Sequence, residues 1–208
     1  MAQLSAFGLV ELVLNAAALL CGVICASALT VTQGEFDGKC ILYGEVLYNG
    51  QLTLSSSSSL SLCYFVSAIS IMGAIFSFAV LLFKIYHCCF SSGQTAHGWF
   101  KCSLVLLAGV LFFLLVSAFI LRFGMDALCT SIQKSVAVQS CQDAQHSPWV
   151  KPYHAERFYD NLYTAEAAAW VNFLFWCLMV ALLIVEHFSK PSSRDETTPI
   201  IGEGPHIP

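Results

Sequence analysis

Four cysteines lie in or beside the two long polar stretches of the chain, and the chemistry available to them is disulfide formation. Cys40 and Cys63 bracket the first stretch, and Cys129 and Cys141 lie in the second. An even set of cysteines facing an oxidising compartment is typical of disulfides, and four cysteines allow three pairings. We prefer Cys40 with Cys63 and Cys129 with Cys141, because each pair closes a short loop whose ends are held near a predicted bilayer. Free thiols in a reducing compartment are the alternative.

A second group of cysteines lies beside the predicted spans. Cys88 and Cys89 follow the end of the second apolar run, at a depth where thiols are candidates for reversible palmitoylation. The alternative role for this pair is ordinary packing, since a thiol behaves as a small apolar side chain. The sequence therefore leaves both interpretations open.

Glu11 is the one ionisable residue inside the apolar run of a predicted span, and intramembrane charges are functional candidates because burying them in lipid is costly. Asn15 follows one helical turn later on the same face. The two side chains are expected to hydrogen-bond to each other or to another helix, and a binding or ion-pathway role is the alternative.

No catalytic, metal or cofactor site is predicted. His87 and His187 both fall near the same predicted membrane surface, and paired histidines can ligate haem. A single such pair is more typical of interfacial histidines, so we expect no cofactor.

The C-terminal tail carries a sorting-type pattern. Glu196 precedes Ile200 and Ile201 at the acidic dileucine spacing that clathrin adaptors bind, in a segment rich in proline, serine and threonine. An accessible tail suits such a signal. The pattern predicts residence in the plasma membrane, endosomes, lysosomes or secretory granules, and an inert solvated tail is the alternative.

The composition indicates that these residues belong to a membrane protein. Of 208 residues 57% are hydrophobic and 11% are charged, against roughly 25% charged in soluble domains. The nine Lys and Arg residues are scattered and form no basic face, so nucleic acid is not an expected partner.

Four apolar runs are long enough to cross hydrocarbon as helices. They predict an all-α integral membrane protein, a four-transmembrane-helix bundle with a disulfide-pinned extracytoplasmic cap. A cleaved signal peptide is the alternative for the first run, which exceeds the usual apolar length of such peptides. The predicted organisation is transmembrane helix 1 at 1–31, outer loop 1 at 32–59, helix 2 at 60–83, a cytosolic loop at 84–101, helix 3 at 102–121, outer loop 2 at 122–165, helix 4 at 166–187 and a cytosolic tail at 188–208.

The orientation of these spans follows from the loop charges. The loop at 84–101 contains Lys84 and Lys101 and no acidic residue, so the positive-inside bias places it in the cytosol. With four spans, both termini are then cytosolic and the paired cysteines face the oxidising side.

The two outer loops differ in composition. Ser55–Ser59 is a run of five serines and predicts a flexible linker. The second loop contains aromatic residues that suit a cap over the bundle first and a partner contact second: Trp149, Tyr153, Phe158, Tyr159 and Tyr163. Arg122 and Asp126 are spaced to form an ion pair if the third helix continues.

Short motifs in a fixed order resemble the transmembrane protein 179 family and, within it, the B branch. They are Gly38-Lys39-Cys40-Ile41-Leu42-Tyr43, Cys63 at the start of span 2, Cys129 in "LCTSI", Cys141 in "SCQD", and Phe158-Tyr159-Asp160 before a Trp-bearing last span. The resemblance covers nearly the whole chain and implies four spans and matched outer cysteines, with no assigned activity. Claudin-like proteins resemble the chain less, since their Trp-Gly-Leu-Trp-Cys-Cys loop is absent.

These features favour a non-enzymatic membrane protein, an accessory or trafficking component that binds other membrane proteins. The competing class is a small transporter or channel subunit in which Glu11 and Asn15 line a pathway.

Overall fold

The computed structural model describes residues 6–90, 99–135 and 140–189. Four long helices dominate these residues: α1 (Ala6–Glu35), α2 (Leu60–Phe90), α3 (Trp99–Lys134) and α4 (Phe158–Ser189). All four are long and apolar enough to cross a membrane. The predicted four-helix bundle is therefore confirmed.

The helices are longer than the spans predicted for them. They contain 30, 31, 36 and 32 residues, so each is about 45 to 54 Å long, against roughly 30 Å of hydrocarbon. The third helix continues through Arg122 to Lys134, where the sequence predicted a loop. At this end of the bundle, the extra helical turns lead into the segments that join α1 to α2 and α3 to α4.

A two-stranded antiparallel sheet joins α1 to α2, and its strands are β1 (Cys40–Tyr48) and β2 (Leu52–Ser58). The prediction of a flexible serine linker is wrong, because Ser55–Ser58 belong to β2. The strand forms because β1 supplies the hydrogen-bond partner for its backbone. Serine side chains neither assist nor hinder this pairing. The hairpin turns at Gly50, whose φ of 82° suits glycine.

The bundle is held by close helix contacts around α1, which packs against both α2 and α4, while α3 packs against α4 and β1. A Cβ on Gly22 of α1 would lie 2.8 Å from the Ser70 carbonyl oxygen of α2. Ser70 Oγ also lies within hydrogen-bond distance of Cys25 Sγ, at 3.3 Å. Small residues allow such approaches, from which membrane helices gain their packing energy.

Two apolar cores lie along the bundle. The first is in the middle of the helices and consists of Ala18, Leu107, Leu114, Trp176 and Met179. The second is larger and joins the ends of the helices to the hairpin; its largest fully buried members include Phe36, Ile41, Leu42, Leu52, Leu128, Ile132 and Phe158. The second core fixes the loops to the bundle, and we call residues 36–59 and 140–158 the cap.

Candidate functional site

Two disulfides fix the cap to the helices. Cys40, the first residue of β1, is joined to Cys63 in the first turn of α2, with 5.8 Å between their Cα atoms. Cys129 of α3 is joined to Cys141, with 5.1 Å between their Cα atoms. These are the two pairs preferred from the loop lengths, and all four cysteines lie at the same end of the bundle.

An aromatic cluster forms the centre of the cap. The Phe36 ring lies 5.3 Å from Trp149, 5.5 Å from Tyr153 and 5.8 Å from Phe158, measured between ring centroids. Trp149 Nε1 donates to the Ala144 carbonyl oxygen at 2.8 Å, so its polar atom is satisfied while its ring is packed. Three of the aromatic residues predicted to form a cap therefore do so, and Phe36 is the member that the sequence did not indicate.

The remaining two aromatic residues of that prediction lie on α4, where Tyr159 packs against the larger of the two cores. Tyr159 and Tyr163 stack on one another along α4, with ring centroids 6.4 Å apart, and Tyr163 is exposed.

Lys39 Nζ donates to the Tyr153 hydroxyl at 2.9 Å, and this hydrogen bond raises the pKa of the Lys39 ammonium.

The hairpin lies directly on α3. A Cβ on Gly124 would come within 3.0 Å of the Leu42 side chain, so glycine permits this close approach. The Val46 amide of β1 donates to Ser131 Oγ of α3 at 2.8 Å. These contacts hold β1 against the helix and leave the turn of the hairpin and most of β2 at the surface.

An ion-pair group lies where the cap meets the bundle. Arg122 Nε is 3.2 Å from Asp126 Oδ2, which confirms the predicted pair, and Arg122 Nη1 is 3.3 Å from Glu166 Oε1 of α4. Glu166 is buried, and a buried carboxylate needs a cation nearby. The sequence did not indicate this contact because the two residues are 44 positions apart.

The exposed part of the cap has two surfaces of different character. Leu47 and Tyr48 are exposed apolar side chains beside the hairpin turn, next to the serine-rich strand β2. We call Leu47, Tyr48 and residues 53–58 the hairpin surface. On the other side, a cavity of about 540 Å³ is lined by Gln145, His146, Ser147, Pro148, Glu156 and Arg157.

One edge of β2 is open along most of its length. Leu52 directs both backbone groups away from β1: its amide donates to the Pro148 carbonyl oxygen at 2.9 Å, and its own carbonyl accepts from the Val150 amide at 3.0 Å. Among the described residues, no further backbone pairing covers that edge from Thr53 to Ser58. An open strand edge can pair with an extended segment of another chain.

Glu11 and Asn15 lie near the end of the bundle opposite the cap. The Glu11 carboxylate forms an ion pair with Lys84 Nζ of α2, and Asn15 Nδ2 donates to the Glu11 backbone oxygen at 2.8 Å. Glu11 therefore has a counter-charge that the sequence did not indicate, because the antiparallel packing of α1 and α2 brings the two residues together. Asn15 bonds within its own helix and not to the Glu11 side chain.

Several predicted residues cannot be placed in this site. Cys88 and Cys89 fall in the last turn of α2, but their side chains lie outside the described residues, as do those of His87 and His187. The tail with Glu196, Ile200 and Ile201 also lies outside them. Within the described part of the chain, no group of three or more His, Cys, Asp or Glu residues could hold a metal ion.

The comparisons with known proteins agree with this architecture. Residues 7–201 match the family described as "Transmembrane protein 179/179B Claudin domain". Transmembrane protein 179B of Danio rerio is 42% identical over 92% of this chain and 90% of its own length. The human protein of that name is 44% identical over 87% and 83%, and the mouse protein is 40% identical over 88% and 84%. No solved structure matches.

The claudin description corrects one expectation. The absence of a Trp-Gly-Leu-Trp-Cys-Cys loop predicts a weaker resemblance to claudin-like proteins, but the matching family is itself described as a claudin domain. A single loop motif is a poor criterion for a fold that depends on four spans and on contacts between distant segments.

Proposed function

We propose, from the premise that the chain belongs to the transmembrane protein 179/179B claudin-domain family, that it is a non-enzymatic accessory protein which binds other membrane proteins through its cap. It is an integral multi-pass membrane protein, and the disulfides belong in an oxidising compartment. The cap would then face the lumen or the exterior, and both termini would face the cytosol.

The observation that carries this proposal is the hairpin surface. Its residues stand on a strand pair that is fixed at both ends, by the Cys40–Cys63 disulfide and by the Leu52 pairing with Pro148 and Val150. A rigid surface loses little conformational entropy on binding, and an exposed tyrosine is typical of contact surfaces. The open edge of β2 adds backbone groups that a partner strand can pair with.

A transporter role has less support. Glu11 is paired with Lys84, and Asn15 Nδ2 is bonded to the backbone of its own helix, so each side chain already has a partner within the protein. The Glu11–Lys84 ion pair serves instead to hold α1 and α2 in register, and the Asn15 bond stabilises a turn of α1.

The first test uses photo-crosslinking in native membranes. We expect a benzoylphenylalanine at position 48 of the full-length protein to yield a discrete crosslinked species, because Tyr48 is exposed on the hairpin surface. The same probe at Lys151, which is exposed elsewhere on the cap, is the matched control. Ser56→Lys should reduce the position-48 product, since a charge on an edge strand opposes pairing. Equal products at positions 48 and 151 would contradict a specific surface.

We also propose that the tail directs the protein to the plasma membrane and the endolysosomal or secretory-granule system through a clathrin adaptor. Glu196, Ile200 and Ile201 have the spacing of an acidic dileucine signal. This proposal is independent of the cap, because it depends only on the tail being accessible.

Replacing Ile200 and Ile201 by alanine should raise the cell-surface fraction, because a signal that drives internalisation is lost. Surface biotinylation of intact cells measures the change, and Ile207→Ala is the control within the same tail. A surface fraction equal to that of the wild type would remove the sorting proposal and leave the binding proposal intact.

A further inference from the structure

Four polar side chains are enclosed in the interior of the helix bundle. Ser77 of α2 is 0% exposed, Ser117 of α3 is 1% exposed, and Asn172 and Trp176 of α4 are 2% and 1% exposed. Within the described residues, none of Ser77 Oγ, Ser117 Oγ, Asn172 Oδ1 and Trp176 Nε1 has a hydrogen-bond partner. These atoms lie in helices that cross the membrane, where bulk water does not reach them.

The contacts between the helices place these groups at two neighbouring levels. Phe119 of α3 packs on Trp170 of α4 with ring centroids 5.4 Å apart. Moving two residues along each antiparallel helix from that contact reaches Ser117 and Asn172, which are therefore level with each other. Trp176 follows Asn172 by four residues and lies on the same helix face.

The fourth group belongs to the level of Trp176. The Trp176 ring lies 5.6 Å from the ring of Phe76, measured between centroids, and Ser77 is the next residue of α2. Residues of three helices thus bring two hydroxyls, an indole N–H and an amide oxygen within about five residues of helix rise, roughly 7 to 8 Å along the bundle.

The same helices satisfy some of their other buried polar groups from within, although Ser67 Oγ of α2 also has no partner within the described residues. Ser70 Oγ donates to the Val66 carbonyl oxygen at 2.9 Å, and Asn15 Nδ2 donates to the Glu11 carbonyl oxygen at 2.8 Å. Serine in a membrane helix usually forms this bond to the preceding turn. Ser77 and Ser117 do not, so their hydroxyls remain available to a molecule other than the protein.

A polar group buried without a partner costs several kcal/mol in hydrocarbon, so four of them together need an explanation. The groups are complementary, because the Trp176 N–H can only donate, the Asn172 Oδ1 can only accept, and the hydroxyls do both. A water molecule that accepts from one and donates to the other spans about 5 to 6 Å. That reach matches one helical turn.

The packing beside these groups also leaves room. Gly73, one turn before Ser77, is buried, yet a Cβ placed on it would meet only Leu114 Cδ2, at 4.0 Å. The helices α2 and α3 are therefore not tightly packed at this level. A polar and roomy site is the kind that holds buried water, whereas apolar cavities stay dry.

We propose that Ser77, Ser117, Asn172 and Trp176 form an internal hydration site in the membrane-spanning bundle, in which ordered water bridges Trp176 Nε1–H to Asn172 Oδ1. Trp176 donates to the water oxygen, and the water donates to the asparagine oxygen. The two serine hydroxyls complete the water's coordination. This site is separate from the cap and does not depend on the proposed function.

Radiolytic hydroxyl-radical labelling of the full-length protein in lipid nanodiscs tests the site. X-ray pulses convert ordered water to radicals that oxidise the side chains beside it, and tandem mass spectrometry locates the products. We expect Trp176 to be oxidised despite its burial. Cys25 is also 1% exposed and oxidisable, but its sulfur contacts the Ser70 hydroxyl, and we expect it to be protected.

Variants distinguish water bound at this site from water that penetrates the bundle generally. Asn172→Leu combined with Ser117→Ala should abolish the oxidation of Trp176, and Ser117→Ala alone should lower it if the double variant does not fold. Ser67→Ala, at another buried serine of α2, should leave the Trp176 signal unchanged. A protected Trp176 in the wild type, or undiminished oxidation in both Ser117 variants, would overturn the proposal.

Discussion

Replacing both Cys40 and Cys63 by alanine should lower the free energy of unfolding by about 3 kcal/mol, which is the loop-closure entropy of a bridge between residues this far apart. The two cysteines are separated by 23 positions and are almost fully buried. On the usual scale of about 2 to 4 °C per kcal/mol, the melting temperature should fall by about 6 to 12 °C. Intrinsic tryptophan fluorescence during heating of the detergent-solubilised protein measures this change.

Two comparisons establish that the bridge causes this loss. Wild-type protein whose disulfides are reduced loses both bridges, so it should melt at or below the temperature of the variant, which keeps the Cys129–Cys141 bridge. Cys21→Ala removes a half-buried free thiol of α1 and should leave the transition almost unchanged. A variant that melts with the wild type would show that the hairpin core holds the cap without the bridge.

The disulfide also bears on function, since it fixes one end of the hairpin surface. Loss of the bridge should therefore weaken the crosslink from position 48 at temperatures well below the melting transition. A destabilised protein with an undiminished crosslink would mean that the contacts of β1 with Gly124 and Ser131 suffice to shape the surface.

Substituting Gly22 by valine should separate α1 from α2. It should destabilise the bundle by more than about 3 kcal/mol, the upper end of the usual cost of overpacking. The added Cβ would lie 2.8 Å from the Ser70 carbonyl oxygen and 3.1 Å from Ala74 Cβ. The first of these atoms is helix backbone and cannot rotate away, so the helices must move apart. That movement would break the Ser70–Cys25 hydrogen bond and weaken the Glu11–Lys84 ion pair.

Gly34 provides the matched control, because it lies in the same helix and a Cβ there meets nothing within 4 Å. Gly34→Ala should be neutral or slightly stabilising, since alanine favours a helix by about 0.5 to 1 kcal/mol over glycine. Gly22→Ala should therefore lower the melting temperature, whereas Gly34→Ala should leave it unchanged or raise it slightly. Equal shifts would mean that the contact at Gly22 is looser than the structure describes.

The features that depend on local composition could be predicted from the sequence. A run of about 20 apolar residues must become a membrane helix because its backbone groups have no other partner in lipid, and this reasoning found all four helices. The pairing of Arg122 with Asp126 needed only the helical repeat. The aromatic residues of the cap were identified from their density in one loop.

The features that depend on distant residues could be known only from the tertiary structure. The serine run became a strand because β1 lies beside it, and its own side chains carry no signal for that pairing. Glu11 has Lys84 as its counter-charge, and Glu166 has Arg122, because antiparallel helices bring those positions together. The four unpartnered groups around Trp176 lie on three helices, and only the register between the helices shows that they are neighbours.

The difference between the features that the sequence predicts and those that only the tertiary structure shows has one physical cause. Transfer into hydrocarbon acts on each segment separately, so composition and length determined the spans, their number and the class of the protein. Hydrogen bonds, ion pairs and close backbone approaches act between segments, and their geometry follows from how the helices pack. Packing therefore decided which side chains are buried, which are paired and which surface of the cap is open to a partner.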